Sequence, residues 1–126
     1  KRLNDYILFI VKLAELSQLL VLNRMPPQFF YRLIQNQDIR IVNLCDSDNL
    51  GKIISNADVE IEISKEYFGG QLVDEKEAID LLTGFNVLTL VGNRIVKLAL
   101  SLNLASEDSV RIIDGISFLL VYRSIQ

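Results

Sequence analysis

The chain opens on a long apolar stretch, residues 6–22, and its polar positions Asn4, Asp5, Lys12, Glu15 and Gln18 fall within one arc of a helical wheel. This spacing predicts an amphipathic helix whose other faces want a partner. Pro26 and Pro27 end it, because neither offers an amide N–H and each pushes the residue before it out of helical angles. Two apolar-rich runs, 29–34 and 39–44, flank Gln35, Asn36, Gln37 and Asp38 and predict a hairpin with a four-residue loop. Asp46 and Ser47 are competent helix caps, and Leu50, Ile53 and Ile54 supply one short apolar face. A turn or two of helix is expected there, weakened by Gly51.

From 58 to 63 the alternation is strict, with Val59, Ile61 and Ile63 on one face and Asp58, Glu60 and Glu62 on the other. It predicts a half-buried strand with an acidic outer face. Phe68, Gly69 and Gly70 predict a turn or an exposed loop. Asp74 with Glu77 three positions on forms a capping box, and Ala78, Ile79, Leu81 and Leu82 supply the buried stripe of the helix it opens, closed by Gly84. Asn86 is expected to cap a second helix over 87–102, with Thr89, Asn93, Arg94, Lys97 and Ser101 on its polar side. Gly92 falls on the apolar side, where its missing side chain lets another backbone approach. The runs 110–113 and 116–122, joined by Asp114 and Gly115, predict a closing hairpin.

Two hairpins, an amphipathic strand between them and a pair of consecutive helices do not alternate strand with helix. The expected fold is therefore α+β: a mixed or antiparallel sheet with two hairpins packed against two consecutive helices, plus an N-terminal helix. Residues 1–24 read as a helical extension and 25–126 as one α+β domain. The only methionine, Met25, stands at that boundary, so a start there is one expectation for the origin of the extension. The extension is expected to pack on its own domain. A homo-oligomer, built on this helix or on an exposed strand edge, and a membrane-surface contact are the alternatives.

Charge and composition narrow the chemistry. Thirteen Lys and Arg against 16 Asp and Glu give a net charge of −3, so any nucleic-acid contact has to be local. Histidine is absent, which removes the usual neutral-pH base and the commonest zinc ligand. A single cysteine, Cys45, excludes an internal disulfide and a cysteine-rich metal site and fits a reducing compartment; the expected location is cytoplasmic. Lys12 and Glu15 interrupt the first apolar stretch, so no membrane span is expected.

Cys45 beside Asp46 is the first catalytic candidate, but the adjacent carboxylate opposes a thiolate and no histidine serves as base; a small buried side chain is the better reading. Gly51 and Lys52 resemble the end of a phosphate-binding loop, yet Asp46 stands where that motif needs glycine and Ile53 where it needs a hydroxyl. Asp58, Glu60 and Glu62 stand roughly 6 to 7 Å apart along one strand face, too far to share one cation. Arg94 and Lys97, three apart on a helix, are candidate phosphate contacts, a small patch unless Lys52 or Arg111 joins them. No catalytic residue, metal site or cofactor is expected.

With Cys45, Asp46, Leu50, Gly51 and Lys52, then Tyr67, Phe68, Gly69 and Gly70, then Gly92 within an apolar helix, the chain resembles the archaeal domain-of-unknown-function family 424 over about residues 29–123. It departs from the family at Ser117 and Phe118, where relatives are expected to carry Pro-His. What the resemblance implies about partners is an association with translation and RNA. The leading expectation is a non-catalytic module that binds the ribosome, RNA or a translation factor through Asp46, Gly51, Lys52, Phe68, Gly69 and Gly70, with Phe68 either anchoring the partner or lying in the core. The alternative is a small-ligand protein or enzyme using a pocket at Cys45, Asp46 and Lys52.

Overall fold

The computed structural model describes the backbone of residues 2–24 and 28–123 and the side chains of 3–17 and 28–123. The Met25 start and the Pro26–Pro27 boundary lie outside these residues. The N-terminal helix is present as α1 (Arg2–Arg24). Its residues 3–17 are all exposed, so the expected packing of this part on its own domain is not found.

Beyond it, β1 (Phe29–Asn36) and β2 (Ile39–Asp46) form the predicted first hairpin, but the loop shrinks to Gln37 and Asp38. Asn36 pairs with Ile39, and Gln37 takes a left-handed φ of 55° to close the turn. The expected helix near Leu50 is replaced by one 3-10 turn (Ser47–Asn49) and a second hairpin, β3 (Ile53–Asn56) with β4 (Val59–Glu62). The acidic alternation thus belongs to a separate two-stranded sheet and not to the centre of the main one. Ile54 and Ile63 bury themselves, which a strand pairing achieves and an isolated turn of helix cannot.

A short helix α2 (Lys65–Phe68), capped by Ser64 accepting from the Tyr67 N–H, and a strand β5 (Gln71–Val73) follow; neither is predicted from the sequence. Next comes α3 (Glu75–Leu81), opened by the predicted capping box: Asp74 Oδ1 accepts from the Glu77 N–H at 2.8 Å and Glu77 Oε1 from the Asp74 N–H at 3.4 Å. The expected long helix over 87–102 divides in two, β6 (Val87–Val91) and α4 (Asn93–Ser101). Asn86 caps nothing: its Oδ1 accepts from the Arg40 N–H and its own N–H donates to the Arg40 carbonyl, locking β6 beside β2. A second 3-10 turn (Glu107–Ser109) leads into the predicted closing hairpin, β7 (Arg111–Ile113) and β8 (Ile116–Tyr122).

The main sheet runs β5-β1-β2-β6-β8-β7, antiparallel except for the central β2–β6 pair. The α+β expectation, a mixed sheet with helices, is what the structure contains. One face carries Val42, Leu44, Leu88, Leu90 and Leu119 against Ala78 and Leu82 of the α3 segment and Ile95, Val96 and Ala99 of α4. The opposite face carries Cys45, Val91 and Ile116 under Ile54, Ile63 and Phe68, so the β3–β4 hairpin and α2 form a second, partial layer.

Candidate interaction site

Asp46 ends β2 on the face that meets α4. Its carboxylate accepts from the Arg94 N–H (Oδ2, 3.0 Å) and the Ile95 N–H (Oδ1, 2.9 Å), and is only 3% exposed. An internal carboxylate therefore occupies the anion position at the helix N-terminus, where unpaired amides and the helix dipole favour negative charge. Gly92 makes this approach possible. Its φ of 127° excludes ordinary side chains, and a Cβ there would overlap the Asp46 carboxylate. The close approach expected at Gly92 is thus to a side chain and not to another backbone.

Arg94 is brought to the same place. Its Nε lies 3.6 Å from Asp46 Oδ2 and its Nη2 3.0 Å from Asp48 Oδ1, with the guanidinium 5.8 Å from the Phe29 ring centroid. The guanidinium is engaged by carboxylates. Lys97 is exposed and shares a groove with Asn93, Leu100 and Ile112, away from Arg111.

Cys45 is wholly buried, and burial first, then the Asp46 charge, pushes its thiol up to about 12. Such a thiol is protonated at neutral pH and no nucleophile. Lys52 is exposed, its carbonyl accepting from the Ile63 N–H, while Gly51 turns the chain with φ 87° and donates to the Ile63 carbonyl at 2.7 Å. Phe68 is buried, edge-on to Tyr67 at 5.4 Å. Gly69 caps α2 and its carbonyl accepts from Arg32 Nη2 at 2.8 Å. Gly70 lies so close to the Tyr31 carbonyl that a Cβ would overlap it, which lets β5 join β1. Of the six sequence-derived partner residues, Gly51, Lys52 and Gly70 are exposed, Gly69 is half-buried, and Asp46 and Phe68 are internal.

A surface not singled out as a site from the sequence emerges on the partly covered face. Three rows cross the sheet there: Phe30–Cys45–Val91–Phe118–Arg111, Arg32–Asn43–Thr89–Leu120, and Ile34–Ile41–Val87–Tyr122. The second layer covers the first row from Phe30 to Phe118 and leaves Arg111 exposed. In the second row, Asn43 Nδ2 donates to the Tyr67 carbonyl and Arg32 to that of Gly69, which places α2 above that pair. Thr89, Leu120 and the third row have no such cover: Ile34, Ile41 and Val87 are half-buried, Leu120 is 48% exposed and Tyr122 70%. A groove of ≈ 340 Å³ between the layers, lined by Ile63, Tyr67, Thr89 and Phe118 among others, meets one of ≈ 510 Å³ along β8, lined by Thr89, Ser109, Arg111, Phe118, Leu120 and Tyr122. The aromatic positions Phe118 and Tyr122 carry the two-residue period of a strand face, but β8 is apolar on both faces, so its sequence does not say which is open.

The family model described as protein of unknown function, DUF424, matches residues 34–124. The chain belongs to the DUF424 family. Residues 3–17 of α1 lie outside the matched span. A crystal structure of an uncharacterised conserved protein from Methanopyrus kandleri is similar to this DUF424 chain with a TM-score of 0.63 at 16% identity, covering 79% of this chain and 96% of that one. At that identity the likeness concerns the fold. No curated protein matches. Among the described residues, no helix is long and apolar enough to cross a membrane, and no group of three or more acidic or cysteine side chains is placed to hold a metal ion.

Proposed function

We propose that this DUF424 member is a non-catalytic, cytoplasmic interaction module that docks a protein component of the translation machinery on the uncovered part of its main sheet. The observation that carries the reading is the half-covered second face, where Leu120 and Tyr122 stand in solvent beside Thr89 and Phe118. Apolar and aromatic side chains of this kind, rimmed by polar groups, are the usual anchors of a protein interface. The exposed Gly51–Lys52 turn is hydrogen-bonded to Ile63, which lines the neighbouring groove. Gly69 and Gly70 bring the backbone close on the α2 side. Asp46 and Phe68 act from inside, one holding α4 and the other holding the second layer. Bare RNA is the less favoured partner, because the net charge is −3 and Arg94 is neutralised by Asp46 and Asp48, leaving Lys97 alone of the proposed phosphate contacts.

The test is affinity capture from native extract at two salt concentrations, with and without nuclease, using the wild type and Tyr122→Asp. Translation proteins retained after nuclease and lost with Tyr122→Asp support the reading. Capture abolished by nuclease, or unchanged by Tyr122→Asp, overturns it.

A further inference from the structure

We infer that the overhanging edge of β8 is a strand-addition site for an extended acidic peptide segment of a partner protein. The inference rests on the docking reading above and names how the partner is held. Both outermost strands of the main sheet, β5 and β7, are only three residues long. The seven-residue β8 pairs with β7 only through Ile116–Phe118, so it outruns its neighbour from Leu119 to Tyr122.

The direction of the free backbone groups follows from the ladder. Ser117 O accepts from the Gly92 N–H and the Arg123 N–H donates to Asn86 O, so the odd-numbered residues of β8 face β6. In an antiparallel ladder the pairing groups alternate from one side to the other, so the N–H and C=O of Leu120 and Tyr122 point away from β6, beyond the end of β7. The β7 ladder ends at Phe118, and no turn or loop among the described residues bonds to these groups. Natural sheets blunt such an edge with lysine, proline or a bulge. This one presents leucine and tyrosine over a groove. At the opposite edge β1 outruns β5 as well, but that overhang ends in the polar Gln35 and Asn36.

Charge selects the occupant. Arg111, the first residue of β7, lines the groove and forms no ion pair among the described residues. Glu107 of the preceding turn lies in a different groove, with Ile112. A segment antiparallel to β8 runs in line with β7 and brings its C-terminal end to Arg111. An aspartate, glutamate or terminal carboxylate there completes the pair. Its alternate side chains lie over Leu120 and Tyr122.

The probe is an N-acetylated peptide of about five residues, alternating threonine and valine and ending in aspartate, titrated into the full chain and followed by amide NMR. Exchange of the Leu120 and Tyr122 amides is expected to slow about tenfold at saturation. Arg111→Glu is expected to weaken the peptide about fivefold. Leu120→Pro removes an outward N–H without touching the β6 ladder, so it is expected to fold and to lose the peptide. Backbone N-methylation of the peptide at alternate residues abolishes binding in wild-type protein and decides the matter if Leu120→Pro does not fold. Binding that survives N-methylation, or a uridine oligonucleotide shifting the same amides when the peptide does not, overturns the inference. If the peptide fails while Tyr122→Asp still abolishes capture, strand addition falls and the docking reading stands; if both fail, both fall.

Discussion

Asp46 joins three parts of the chain through one carboxylate. It closes β2, caps α4 from a distance and faces Arg94, and Gly92 leaves it the room. Asp46→Asn keeps the shape and loses the charge at two amide donors, so it is expected to cost about 1–2 kcal/mol, read as a lower midpoint at unchanged slope in urea unfolding. A midpoint equal to wild type would show that the cap contributes nothing. Its neighbour Cys45 sets a pH dependence. Both folded and unfolded thiols are protonated below pH 9, so its contribution is fully present there. Between 9.0 and about 12 the unfolded thiol ionises while the buried one holds its proton, so the folded state binds more protons and stability falls as pH rises. Wild-type protein is expected to lose stability more steeply than Cys45→Ala between pH 8 and 10.5. Parallel slopes would contradict the burial of the thiol.

Local signals governed some elements and not others. The capping box at Asp74 and Glu77 and the Asp114–Gly115 turn are written in a few adjacent residues, and both formed as predicted. Asp74→Ala is expected to cost about 1 kcal/mol, with the loss visible as faster amide exchange in the first turn of α3. Unchanged exchange there would mean that packing of Ala78 and Leu82, and not the cap, holds the helix. The segment 87–91 shows the opposite case. Val87, Leu88, Leu90 and Val91 suit an apolar helix face as well as a strand, because apolar residues stand on both faces of the segment and leave no alternation to display. Its pairing with β2 and β8 decided, and Gly92 then supplied the break before α4. Val59 and Ile61 alternate faithfully yet remain largely exposed, since β4 pairs only with β3 and is hydrogen-bonded to no strand of the main sheet.

The molecule has two unequal layers on one sheet, and residues 3–17 of α1 belong to neither. Helices α3 and α4 cover one face, whereas β3, β4 and α2 cover only part of the other. That inequality is what leaves a docking surface. The exposed residues 3–17 of α1 contribute nothing to either core, so removing residues 1–17 is expected to shift the melting temperature by less than about 3 °C. Calorimetry of the full and shortened chains checks this, and a larger drop would place α1 against the domain in solution.

Composition, caps and turn residues were sufficient to read an α+β fold, the first helix, the first and last of the three antiparallel hairpins and the opening of α3, because each depends on chemistry within a few positions along the chain. The absence of histidine likewise removes whole reaction classes whatever the fold. Which apolar run became central, which face stayed open and which of the singled-out residues reached solvent depended on partners tens of residues away. Asp46 and Arg94 are 48 positions apart and meet only because β2 and β6 run side by side and in parallel. Phe68 belongs to the core because a hairpin and a sheet close around it, and Leu120 and Tyr122 stay exposed because the second layer stops short of them. Long-range pairing distributes burial among equally apolar segments, and local pattern carries no record of that choice.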